Sequence, residues 1–139
     1  MSRRSDQRRA AVFAIYQHEV AGRALEDCLE RDASAFTRAL AYAAEDRADE
    51  LDAHIAAHAH DWALERIAPL EKAVMRVALV EMLHPDVAPA DRPIPAEGAI
   101  EEAVETLKDY AGARAPAFVN GILAAVLREV RAMEQTDAP

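Results

Sequence analysis

The chain has 139 residues, with 25 acidic against 16 basic side chains and a formal net charge of −9. A chain of this length buries about two-thirds of its unfolded surface and folds without staples. The single cysteine, Cys28, excludes an intramolecular disulfide framework and fits a reducing cytoplasm, and the acidic excess excludes indiscriminate binding to nucleic acid.

The first nine residues reverse the overall sign, with Arg3, Arg4, Arg8 and Arg9 among them. They run into Val12, Phe13, Tyr16 and Val20 at helical spacing, which predicts a first helix from about Asp6 to Ala21, N-capped by Ser5 and stopped by Gly22. Cations in a first turn oppose the helix dipole at roughly 0.3–1 kcal/mol each. Helix stability therefore does not explain the cluster. A polyanion does, because guanidinium groups grip phosphate with two bonds and free helix N–H groups add to the attraction; a solvated basic tail is the plain alternative. On a wheel of about 100° per residue, Arg4 and Arg8 share a stripe with Ala11 and Ile15, while Phe13, Tyr16 and Val20 take another side. This helix is expected to pack inward and still show its arginines to solvent.

A short helix around Leu25, Cys28 and Leu29 follows. Ser34 then caps a long third helix whose inward stripe is Phe36, Leu40, Ala44, Leu51 and Ile55, with Glu45, Asp46, Asp49, Glu50 and Asp52 kept wet. After Asp61 and Trp62, Pro69 opens a helix to Leu83 that is apolar on nearly all sides apart from Glu71, Lys72, Arg76 and Glu81, and is therefore central. Residues 84–95 carry four prolines and form a loop. Ile100, Ala103, Val104 and Leu107 mark a further helix, stopped near Ala111 by Gly112. The last helix begins near Pro116, carries Val119, Ile122, Leu123, Val126 and Val130 on one face, and frays from Met133 onward. No strand alternation is present. The fold class is all-α, a compact bundle of about seven helices, in an N-terminal half of about 1–61 and a C-terminal half of about 62–132.

Phe118 lies about 90° from the middle of the last helix's buried stripe. An aromatic ring at such a border covers apolar surface or offers a face to an unpaired base, the latter worth about 1–3 kcal/mol. Arg114 adds a positive charge just before it. Tyr16 belongs to the core by spacing, with a hydroxyl able to reach a rim. His54, His58, His60 and Asp61 make the one metal-like cluster, but no cysteine is close and no glutamate follows His54 as in zinc-protease helices, so neither a metal nor another cofactor is expected. No glycine-rich phosphate loop, nucleophile elbow or serine–histidine–aspartate set is present, and no enzymatic activity is expected. The charged N-terminus does not resemble a signal peptide, and no run of about 18 apolar residues suggests a membrane span. The expectation is a soluble cytoplasmic protein.

Taken together, the arginine-rich start with AAVFAIYQHE (residues 10–19), LEKAVMRVALVEML (70–83), IEEAVETLKDY (100–110) and FVNGIL (118–123) resemble the NusB family of bacterial transcription antitermination factors along essentially the whole chain. The resemblance implies two helical subdomains and a non-enzymatic adaptor. Such an adaptor binds single-stranded boxA RNA of ribosomal RNA leaders together with NusE, a small-subunit ribosomal protein, and joins elongating RNA polymerase with other Nus factors. By motif, Arg3, Arg4, Arg8 and Arg9 match the basic RNA-contacting segment, Tyr16 an aromatic near the RNA path, Phe118 the phenylalanine of the last-helix motif, and Glu71 an acidic position facing the partner. The chain departs from the family pattern at Arg114, Ala117 and Glu101, so that the RNA grip is expected to shift toward Arg114. Alternatives are a NusB-like module of an enzyme that modifies ribosomal RNA, a small metal-dependent enzyme built on His54 and His58, and a purely structural interaction protein. Monomer and homodimer are both compatible with the sequence.

Overall fold

The computed structural model describes residues 3–60, 62–89 and 92–137. Among these, seven helices account for the regular structure: α1 (Arg4–Ala21), α2 (Leu25–Cys28), α3 (Ala35–Asp46), α4 (Ala48–His58), α5 (Pro69–Leu83), α6 (Ala96–Tyr110) and α7 (Ala115–Asp137), with one 3-10 turn at Leu64–Arg66. The fold is all-α, as expected. Helix α5 is the axis: it packs against α1, α3, α4, α6 and α7, and Val74, Met75, Leu79 and Val80 along it are at most 2 % exposed. Its near-continuous apolar sequence is what a helix surrounded on all sides requires.

The termini of the helices follow local chemistry. Gly22 stops α1 in the left-handed region, φ 69°, and its N–H reaches the His18 carbonyl at 3.1 Å; a side chain there would be strained. Ser34 caps α3 by accepting from the Thr37 N–H at 3.0 Å, and the Thr37 hydroxyl donates to the Gln7 carbonyl at 2.9 Å, tying α3 to α1. Pro69 takes the first turn of α5, where a missing N–H costs nothing.

Several expectations are corrected. Helix α1 begins at Arg4 with Arg3 as N-cap, and Ser5 lies inside the first turn, its hydroxyl donating to Glu102 of α6 at 2.7 Å instead of capping. The single long third helix is two, because Arg47 (φ −105°, ψ 16°) bends the chain while the Ala43 carbonyl and the Leu51 N–H still bond to it. The bend lets α3 lie on α1 and α5 and sends α4 onto α5 and α7. Asp52 is not wet: it is 17 % exposed and binds Arg76. Helix α6 ends at Tyr110 with Ala111 extended, its N–H bonded to Leu107, and Gly112 has no left-handed backbone to supply the stop. Helix α7 extends past Met133, which is 61 % exposed, to Asp137.

Histidine–carboxylate pairs bridge neighbouring helices: His18 to Glu45, His58 to Glu129 and His84 to Glu50. At His18 the Arg23 carbonyl faces Nδ1 at 2.5 Å and Glu45 faces Nε2 at 3.1 Å. Both partners are acceptors, and only the imidazolium donates from both nitrogens. The Arg23 carbonyl first, and Glu45 with it, raise the His18 pKa above its ordinary value of 6.5. A raised pKa contributes stability that is full below the unfolded value and fades as pH climbs through the folded one. Thermal unfolding between pH 5.5 and 8.5 is therefore expected to show a decline in Tm with rising pH that His18→Gln flattens; parallel profiles for the two proteins would refute the bridge.

Candidate nucleic-acid interface

The four N-terminal arginines do not behave alike. Arg3 is exposed and its side chain has no ion-pair partner among the described residues. Arg4 is exposed too, and stays close to the protein surface. Its guanidinium lies 4.3 Å from the Phe36 ring centroid and donates to Gln7 Oε1 at 2.7 Å and to the Pro89 carbonyl at 3.3 Å. Arg9 is 24 % exposed, pairs with Asp109 at 2.8 Å and lies 5.6 Å from the Tyr110 ring.

Arg8 points the other way. Its guanidinium grips Glu81 with two bonds, at 2.6 and 3.0 Å, and comes within 3.6 Å of Glu102. Its side chain is 12 % exposed and that of Glu81 7 %. The expectation that arginines on the Ala11 and Ile15 stripe face solvent is thus corrected for Arg8. That stripe is the inward one, with Ala11 and Ile15 at 0 % and 1 %, whereas Phe13 and Tyr16 are half-buried and Val20 is 56 % exposed. The physical reason lies in α5, where Glu81 sits among apolar neighbours and a carboxylate so placed needs a cation.

The surroundings of this end are mixed in sign. Toward α6, Ser5 and Arg9 border a hollow lined by Glu101, Glu102 and Glu105. On the side of the proline-rich loop, Arg92 lines the same small hollow as Arg4 and adds a cation that the sequence reading passed over.

At the opposite end of α5 lies a second cluster. Trp62, Arg66, Ile67, Glu71, Arg114 and Phe118 line a groove of about 380 Å³. The rings of Trp62 and Phe118 meet edge to face, with centroids 6.1 Å apart and planes at 67°. Three of the sequence-derived candidates, Arg114, Phe118 and Glu71, are therefore brought together from α5 and the start of α7. Tyr16 is half-buried against the core, and its hydroxyl has no hydrogen-bond partner among the described residues. The α1 arginines stand apart: Arg8 meets Glu81, ten residues along α5 from Glu71, a separation of roughly 15 Å at 1.5 Å per residue.

Trp62 and Arg66 escaped the sequence reading. The signal that would have found Trp62 is a lone tryptophan between helices with no place in any apolar stripe; it is 53 % exposed. For a metal centre the geometry offers little, since His58 bonds Glu129 at 2.8 Å and no group of three or more metal-capable side chains gathers among the described residues. Asp61 of that cluster lies outside them.

Comparison with known proteins gives four findings. The model of the NusB family matches residues 5–128. A transcription antitermination protein NusB from Symbiobacterium thermophilum is 32 % identical, with 99 % of this chain and 96 % of that protein covered. Among solved structures, T. maritima NusB superposes with a TM-score of 0.78 at 27 % identity, covering 92 % of each chain. A chain from a complex of antitermination factors NusB and NusE with double-stranded RNA gives 0.75 at 21 % identity, covering 91 % of this chain and 96 % of that one, a likeness of fold.

Proposed function

The chain belongs to the NusB family, and from that premise we propose that it is a transcription antitermination factor that binds boxA RNA of ribosomal RNA leaders jointly with NusE and promotes processive elongation by RNA polymerase. The observation that carries the reading is the convergence of Arg114, Phe118 and Glu71 on one groove, at the far end of α5 from the α1 arginines. The antitermination part is supported by the name of the Symbiobacterium relative; the boxA and NusE parts rest on the family resemblance. The protein works as an adaptor without catalysis and without a cofactor, in the cytoplasm. No helix is long and apolar enough to cross a membrane among the described residues.

In this reading Arg3, Arg4, Arg9 and Arg114 contact phosphates, and Phe118 with Tyr16 presents aromatic surface to splayed bases. Arg8 serves them indirectly by bracing the start of α1 against Glu81 and Glu102. Glu71 faces the basic partner, whose charge offsets the −9 of this chain. The two helical halves act as one binding unit across α5.

The test is a titration of boxA RNA, with NusE present, at several salt concentrations. Arg4→Ala with Arg9→Ala is expected to weaken binding and to reduce the slope of log K against log salt by about 0.7 for every phosphate that is no longer neutralised. Unchanged affinity and slope would sink the role given to these arginines.

A further inference from the structure

We propose that Trp62 is the stacking platform for one unpaired RNA base, with Arg66 and Arg114 holding the phosphates on either side of it; this deepens the RNA-binding reading above and rests on it.

The placement of the indole is the starting point. Trp62 is 53 % exposed and lies outside the buried core, while Phe118 beside it is half-buried against that core. Its ring is nevertheless held in position by the edge-to-face contact with Phe118. A rigid, half-open aromatic face is what a base needs, because every base has a π-face and stacking on a fixed ring sacrifices little conformational freedom.

Charge selects the occupant. Arg66 and Arg114 are exposed, and neither has an ion-pair partner among the described residues, whereas Arg8, Arg9 and Arg76 are committed to carboxylates. Among the described residues that line the groove they border, the one carboxylate is Glu71. Among the described residues, two guanidiniums without ion pairs against one carboxylate make this site locally positive on a chain of net charge −9. That is complementary to a sugar–phosphate strand. At about 380 Å³ the groove is of the size that small ligands occupy. The 3-10 turn Leu64–Arg66, followed by the buried Ile67, holds Trp62 and Arg66 on the same side of α5 as Glu71.

Trp62 is the only tryptophan of the chain, so its fluorescence reports on this groove alone. The protein is titrated with a single-stranded boxA RNA and, separately, with an abasic sugar–phosphate strand of equal length. Anisotropy of a dye on each strand follows binding independently. The expected result is quenching by the base-bearing RNA and none by the abasic strand, with affinity for RNA falling roughly five- to a hundredfold in Trp62→Ala and largely kept in Trp62→Phe. Because Trp62 is half-exposed, Trp62→Ala is expected to keep the wild-type Tm to within a few degrees, which separates binding from folding. RNA that binds by anisotropy with no quenching and with equal affinity for Trp62→Ala overturns the stacking role and leaves the RNA-binding reading in place. Quenching by added NusE alone, unchanged by RNA, assigns the groove to the protein partner and likewise overturns it. An absence of RNA binding even with NusE removes the underlying reading itself.

Discussion

Arg8→Ala is expected to lower stability by about 3–5 kcal/mol, on the order of 10–15 °C in Tm for a chain of this size. The guanidinium holds Glu81 with two bonds and contacts Glu102. Glu81 is 7 % exposed on the most enclosed helix of the fold. Removal of Arg8 leaves that carboxylate desolvated and unpaired, a state far more costly than the net worth of the pair. The double variant Arg8→Met with Glu81→Leu is expected to recover most of that stability, since an apolar pair of similar volume carries no desolvation penalty. Urea unfolding of wild type, both single variants and the double variant measures the coupling directly. Additive effects would show that the bridge does not couple α1 to α5. The same experiment tests the division of labour among the arginines. Where Arg8→Ala protein is still folded, its RNA binding should keep the wild-type salt slope, because Arg8 is already committed to carboxylates.

The second large effect is expected at Arg76. Its Nε and Nη2 bind the two carboxylate oxygens of Asp52 at 2.8 and 2.7 Å, and Nη1 reaches Glu19 at 3.1 Å. Three helices, α1, α4 and α5, are joined at one side chain that is 8 % exposed. The bonds to Asp52 raise the guanidinium pKa further above its ordinary value, so the cation is present at every accessible pH and the network does not titrate from its side. Arg76→Ala is expected to cost about 3–5 kcal/mol by leaving Asp52, whose side chain is 17 % exposed, without its counter-charge, while Glu19 keeps only Lys72. Arg76→Lys should recover only part of this, because an ammonium lacks the planar fork that serves both oxygens of Asp52 while still touching Glu19. By contrast Lys72→Ala, which removes one contact to Glu19, is expected to cost about 1 kcal/mol or less. Denaturant midpoints that rank Lys72→Ala with Arg76→Ala would refute the special standing of Arg76.

Much of the fold was legible in the sequence, for identifiable reasons. Pro69, Ser34 and Gly22 act through local backbone chemistry, which needs no knowledge of neighbours, and the apolar circumference of α5 announces a central helix. The bend at Arg47 was hidden because no proline or glycine marks it; only the separate docking of α3 and α4 explains it. The inward turn of Arg8 was misread for a related reason. A wheel shows which residues share a side, but whether that side is wet depended on Glu81, seventy-three residues away. Within the candidate site, Phe118 and Arg114 could be found from their place at the start of a helix, and Glu71 from the family motif. Trp62 and Arg66 lie in an irregular stretch where no periodicity applies, so their meeting with Phe118 is a product of the tertiary fold.

The straight run of α5 between Glu71 and Glu81 sets a caliper. Its backbone hydrogen bonds hold the cationic start of α1 and the aromatic groove at a distance that no side-chain rearrangement can change. A strand engaging both ends must therefore be long enough to span that gap, and one too short to reach across it can engage only one of the two ends. The least length of such a strand is thereby set by the length of a buried helix.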